Sequence, residues 1–228
     1  MEHGTVLAQV PPAAGSALPD LELVRRVQAG ERALFELLIR RHNPRVYRAI
    51  RALLRDEAEV EDAMQQTYLL AFARLGEFAG AAAFSTWLTR IALNEALGRL
   101  RRSGKVERLD APEAEDEAPG PPDRSPEDRA AAGEAMAFLQ RALDRLPPAH
   151  RVVFMLREVE ELSTAEAAEA LGISAVLVKV RLHRARRALR EVLAAASGQA
   201  YAEAFPFLAP RCDRIVAAVM PRVTEPRS

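Results

Sequence analysis

Cysteine is nearly absent from this chain: Cys212 stands alone among 228 residues. An internal disulfide is therefore excluded, and a reducing compartment is the simpler setting. The four histidines, His3, His42, His150 and His183, lie far apart in sequence. With one cysteine they make no zinc set, so no metal or other cofactor is expected. Aromatic residues make up 5% of the chain, and alternating β-branched runs are scarce, which argues against strands. No stretch approaches the ~20 apolar residues of a membrane span. The N-terminus lacks a basic segment ahead of an apolar run, and Pro11, Pro12 and Pro19 interrupt it. No export signal is read there, no membrane insertion is expected, and the expected location is the cytoplasm. Phosphate loops, dinucleotide fingerprints and nucleophile elbows are missing, so no enzyme activity is expected. Net charge is missing as well, 32 Lys and Arg balancing 32 Asp and Glu. What remains is 49% hydrophobic and rich in Ala, Leu, Arg and Glu, the composition of packed helices. The fold expected is all-α.

The balanced charge hides local concentrations, the sharpest within residues 163–190. Ser163 sits where a helix N-cap belongs, and Glu166 three residues on completes a capping box. The short helix that follows ends at Leu171-Gly172, where glycine supplies the positive φ needed to leave a helix. Ser174 caps a second helix, predicted from Ala175 to at least Arg190. Val178, Leu182, Ala185 and Leu189 form one apolar stripe along it. Lys179, Arg181, Arg184, Arg186, Arg187 and Arg190 follow with no acid before Glu191. A basic face alone is often only solvated surface. A tight glycine turn between a short capped helix and a longer basic one is more specific: it is a helix-turn-helix, and nucleic acid is its partner. At about 100° per residue, Val176, Val180, His183, Arg184 and Arg187 lie opposite the stripe, with Lys179 and Arg181 on its flanks.

Elsewhere the chain divides by composition. Residues 1–19 are a Pro/Ala/Gly-rich tail without core residues, expected to be disordered. Leu21, Val24 and Val27, then Leu34, Leu37 and Leu38, then Val46, Ile50, Leu53 and Leu54 follow helical spacing, with Pro44 beginning or kinking the third helix. In DEAEVEDAMQQTYLLAFARL, Asp56 is placed to cap a helix. Val60, Met64, Thr67, Ala71 and Leu75 fall on its core face, and Asp62, Gln65, Gln66 and Leu69 on the opposite one. The next helix is expected to be capped by Ser85. Trp87, Leu88 and Ile91 lie on its buried side, Arg90 and Asn94 on its outer side, and Arg99, Arg101 and Arg102 at its end. Residues 103–133 carry five prolines and nine acids against four bases, and read as a linker. Pro147-Pro148 breaks the first helix of the last domain from its second.

Several motifs recur in one order. A D-x-x-Q helix comes first, followed by F-x-G-x-x-x-F-S-T-W-L-x-R-I-A-x-N ending in R-R, then the acidic Pro-rich linker. After it come L-P-x-x-x-R-x-V-F-x-L-R and L-S-x-x-E-x-A-x-x-L-G-I-S with V-K-x-R-L-H-R-A-R. Over residues 20–196 this resembles the group 4, or extracytoplasmic-function, sigma factors of the sigma-70 family. The resemblance implies two small helical domains, with region 2 over 20–104 and region 4 over 134–196. The flexible acidic linker over 105–133 joins them, and an extension follows over 197–228. It also implies a protein that binds bacterial RNA polymerase core, recognises and melts promoter DNA, and starts transcription. An anti-sigma factor is a further candidate partner that the residues do not specify.

Carried onto matching positions, the resemblance gives Asp62, Gln65 and Gln66 to the polymerase clamp, since an acid and amides suit arginines on a partner helix. Arg90, Asn94, Arg101 and Arg102 fall on the minus-10 reader, where capture of a splayed base needs polar and cationic groups along a single strand. Val176, Lys179, Val180, Arg181, His183, Arg184 and Arg187 fall on the minus-35 reader. Leu177-Val178-Lys179-Val180 departs from the family's usual Thr-Val-Lys-Ser, so aliphatic groups replace hydroxyls there, and Val180 is suited to a thymine methyl. Minus-10 and minus-35 elements about 16 base pairs apart are separated by roughly 54 Å of axial rise. A linker of this length spans roughly 30 Å when relaxed and must be drawn out. The competing class is a helix-turn-helix regulator that binds DNA without polymerase, but residues 20–102 lack the strand–helix alternation of a receiver domain.

Overall fold

The computed structural model describes residues 18–102, 140–190 and 209–225. The expected N-terminal tail (apart from Leu18 and Pro19) and the acidic linker lie outside the described residues, as do 191–208. All described elements are helical. Helix α1 (Asp20–Gln28) leads through a 3-10 turn (Arg32–Leu34) into α2 (Phe35–Arg51); α3 (Glu57–Ala73), a second 3-10 turn (Leu75–Glu77) and α4 (Phe84–Arg102) follow. A helical stretch at 140–145 then precedes α5 (Pro148–Phe154), which runs on as a π-helical turn (Met155–Val159). The remaining elements are α6 (Thr164–Leu171), α7 (Ala175–Ala188) and α8 (Ala209–Thr224).

Helices α2, α3 and α4 pack on one another, and α1 closes one side of this unit. The face of α3 assigned to the core is buried throughout: Val60, Met64, Thr67, Ala71 and Leu75. Each aliphatic side chain so buried contributes about 1.5–3 kcal/mol. Asp56 caps α3 as expected, its carboxylate accepting the Glu59 N–H at 2.8 Å. Three sequence expectations fail here. Pro44 does not begin a helix but lies inside α2, which runs from Phe35 to Arg51; the two short helices read around it are one, because packing on both sides outweighs one lost backbone hydrogen bond. Leu21 is 43% exposed, while Leu23 takes the buried place in α1. Ala83, rather than Ser85, opens α4, its carbonyl accepting the Thr86 and Trp87 N–H groups.

Pro147 and Pro148 divide the last domain as expected, with Pro148 in the first turn of α5. Helices α5, α6 and α7 pack together, and α6 also rests on α4 of the first unit. Helix α8 lies in the groove between α2 and α3. Arg211 and Arg214 meet Glu57 and Glu61 near the start of α3, and Asp213 meets Arg40 of α2. At the other end the Val223 carbonyl accepts from Arg32. Ile215, Val216, Val219 and Val223 form the buried edge of α8.

Candidate nucleic-acid interface

The helix-turn-helix is built as its sequence dictates. Ser163 Oγ accepts the Glu166 N–H at 3.1 Å, and Glu166 Oε2 accepts the Ser163 N–H at 2.8 Å. The Ser163 N–H holds the Glu166 carboxyl below its ordinary range. Gly172 leaves α6 at φ 66°, and a Cβ there would meet nothing within 4 Å. Conformation, not space, requires glycine at this position. Ser174 Oγ accepts the Leu177 N–H at 3.1 Å and starts α7. The helix ends at Ala188, short of the expected Arg190, as Leu189 turns out of it and is buried with Val178, Leu182 and Ala185.

The opposite face of α7 is open. Val176 is 70% and Val180 39% exposed. Lys179, His183 and Arg187 are exposed beside them, and no ion pair joins these three to another described residue. Arg184 is half-buried. His183, Arg186, Arg187 and Arg190 line a shallow hollow of about 270 Å³, although Arg186 also donates to Glu158 at 2.6 Å. One expectation is corrected: Arg181 is 2% exposed and cannot reach DNA from this position. It stands about 60° from the line of Val178, inside the buried band of the helix.

On α4 the side chains expected to face DNA lie at the surface, and two of them are in ion pairs, Arg90 with Glu169 and Arg102 with Glu95 at 4.0 Å. Asn94, Arg101 and Arg102 are exposed. Arg90, also on the outer side, lies 3.3 Å from Glu169 of α6, with both side chains more than half exposed. Thr86 Oγ1 reaches Glu166 at 3.4 Å. The first helix of the helix-turn-helix thus rests on the N-terminal half of α4. Trp87 is half-buried, its ring packed 5.4 Å from Phe78 and 5.6 Å from Phe84 at the edge of the core. On α3, Asp62 is exposed, and Gln65 and Gln66 are half-buried.

Sequence reasoning missed the groups that join the two units. Glu160, with 3% of its side chain exposed, accepts from Arg45 at 2.7 Å and Arg48 at 2.5 Å, both on α2. Arg51 of α2 pairs with Asp144 at 3.0 Å. Arg151, fully buried, donates Nε to the Ala52 carbonyl at 2.5 Å. Burial pulls its pKa down to about 10, against the pull of Asp144. In sequence these arginines sit among many others, and only the fold pairs them across 93 to 115 positions. Among the described residues no group of three or more His, Cys, Asp or Glu is placed to hold a metal ion, and no helix is long and apolar enough to cross a membrane.

Comparison with known proteins follows the same division. The family profile Sigma-70 region 2 matches residues 38–106, and Sigma-70, region 4 matches 139–189. The ECF RNA polymerase sigma factor SigM of Mycobacterium tuberculosis is 36% identical over 174 residues, 76% of this chain and 84% of the relative. SigW of Bacillus subtilis, also an ECF RNA polymerase sigma factor, is 31% identical over 75% of this chain and 94% of its own length. A solved structure of CnrH in complex with the cytosolic domain of CnrY superposes with a TM-score of 0.53 at 27% identity, covering 78% of this chain and 99% of that one. The fold is shared with the sigma factor RpoE of Bartonella quintana, solved with the anti-sigma factor NepR (TM-score 0.50, 24% identity, 69% of this chain and 93% of that one). This chain belongs to the extracytoplasmic-function sigma factors of RNA polymerase.

Proposed function

We infer that the chain joins bacterial RNA polymerase core through α3, opens the minus-10 element with α4 and reads the minus-35 element with α7. The observation that carries this division is a pair of surfaces of opposite character. The edge of α3 offers an exposed acid, Asp62, beside the amides of Gln65 and Gln66, a pattern suited to a basic protein helix. The outer face of α7 offers Lys179, His183, Arg184 and Arg187 around Val176 and Val180, a pattern suited to phosphates and base edges. Arg90, Asn94, Arg101 and Arg102 are the minus-10 candidates. On this reading 20–104 and 134–196 act as the two working domains and the segment between them as an extended tether.

This fold sets α4 and α6 side by side, whereas promoter elements stand roughly 54 Å apart. Promoter engagement therefore requires the two units to part. An anti-sigma factor that wraps the closed form is a further partner consistent with this arrangement. The test of the polymerase surface is Asp62→Arg with Gln65→Arg. Helicity should be retained and core-polymerase affinity should fall at least about tenfold, the loss typical of reversing a charge at a complementary interface. Unchanged affinity in a titration would remove α3 from the polymerase contact.

A further inference from the structure

The extension beyond the second domain folds back onto the first. Helix α8 fills the groove between α2 and α3 with Ile215, Val216, Val219 and Val223. Its charged edge is held by ion pairs at the rim: Arg211 to Glu57 at 2.8 Å and to Glu61 at 3.2 Å, Arg214 to Glu61, and Arg40 to Asp213 at 2.7 Å. The Arg211 guanidinium also stacks 4.5 Å above the Tyr47 ring, and Asn43 Nδ2 donates to Cys212 Sγ at 3.0 Å. Cys212 is thus part of the seat of this helix.

The line of α3 that α8 covers adjoins the line assigned to polymerase. At about 100° per residue, Glu61 and Gln65 are neighbours on the surface of α3, and Asp62 and Leu69 lie just beyond. At the far end Gln66, Leu69 and Phe72 share a cleft of about 310 Å³ with Arg222, Val223 and Glu225. A second helix laid along Asp62, Gln65 and Leu69 would have to enter this cleft, beside Arg222 and Val223 of α8. The rim pairs reach solvent, with Arg214 and Asp213 more than half exposed, so salt weakens them. Resting on the polymerase assignment above, we propose that α8 is an internal, salt-sensitive cover that competes with core polymerase for the α2–α3 face and is displaced when polymerase binds.

The experiment measures affinity for bacterial core polymerase at low and high salt, using the full chain and Arg211→Glu with Arg214→Glu. Releasing the cover should raise affinity about fivefold at low salt, because the binding-competent fraction rises, and the gap should close at high salt. Equal or weaker affinity at low salt would overturn the proposal. An independent lock uses Asn43→Cys, which places a second thiol beside Cys212. Oxidation should cross-link the pair and reduce core binding at least about tenfold, with recovery on reduction. A cross-linked protein that binds as well as the reduced one, or a pair that never cross-links, would overturn it too. If the unmodified chain fails to bind core at either salt, the polymerase assignment itself fails, and the cover with it.

Discussion

The two helices proposed to face DNA are served unequally by this fold. Helix α7 presents Val176, Val180, Lys179, His183 and Arg187 to solvent, while α4 has Arg90 in contact with Glu169 and its first turns under α6. The proposed minus-35 face is open; the proposed minus-10 face is partly covered by the unit that carries α7. The difference lies in what stands behind each helix. Val176, Lys179, Val180, His183 and Arg187 of α7 stay exposed, although Arg186 beside them reaches Glu158, whereas α4 lies at the junction of the two units, which Glu160, Arg45 and Arg48 hold shut. On the proposed reading, the minus-35 face on α7 is available in this arrangement, and the minus-10 face on α4 becomes available only on opening.

The largest effect that would break this comparison is expected at the junction. Glu160→Ala leaves Arg45 and Arg48 without their shared carboxylate. Losing one partner of a buried ion pair typically costs about 3–5 kcal/mol, and the partial exposure of both arginines brings this nearer to about 2 kcal/mol. The free protein should expand in small-angle scattering, and α6 amides should exchange faster. Unchanged dimensions would mean that other contacts hold α4 covered.

A smaller effect sharpens the comparison from the open side. Arg184→Ala with Arg187→Ala should weaken binding to every promoter by about tenfold and make the dependence on salt shallower by about two counterions. Val180→Ser should leave overall affinity within about threefold yet shift the sequence selected from a randomised minus-35 library, because a methyl contact contributes less than a bidentate one. The same selected sequence from both proteins would take Val180 away from the bases.

The smallest effect concerns the cap that positions the open reader. The Glu166 carboxyl titrates below its ordinary value of 4.5 because the Ser163 N–H donates to its ionised form. A depressed carboxyl stabilises the folded state above its unfolded pKa, and that contribution fades as pH falls below 4.5. Stability of the helix-turn-helix should therefore decline through this range, and Glu166→Gln, which keeps an acceptor at the cap, should flatten the decline. An identical pH dependence in both proteins would place its origin elsewhere.

Local rules made the helix-turn-helix legible in the sequence. A capping box, a glycine at φ 66° and a second serine cap each act within a few residues, and all three form as read. The core face of α3 was equally plain, since periodicity alone sets it. Pro44 misled because its local cost is outweighed by packing along the whole of α2. Arg181 misled for a related reason: an angle on a helical wheel gives the side, whereas burial depends on how wide a band the neighbouring helices cover. The pairs across the junction, and the seating of α8 in its groove, had no local signal. Arg45, Arg48, Arg211 and Arg214 look like ordinary surface arginines until the fold brings Glu160, Glu57 and Glu61 to them.

The most direct test of the account is initiation in vitro, with core polymerase, this chain and a matched promoter, scored against the chain carrying Asp62→Arg and Gln65→Arg. The account predicts specific transcripts that need both core and this chain, and that fall with the α3 variant in proportion to its lost core affinity. A chain that shifts the promoter fragment by itself yet starts no transcript with core would contradict it, and would make α7 the reader of a regulator that acts without polymerase.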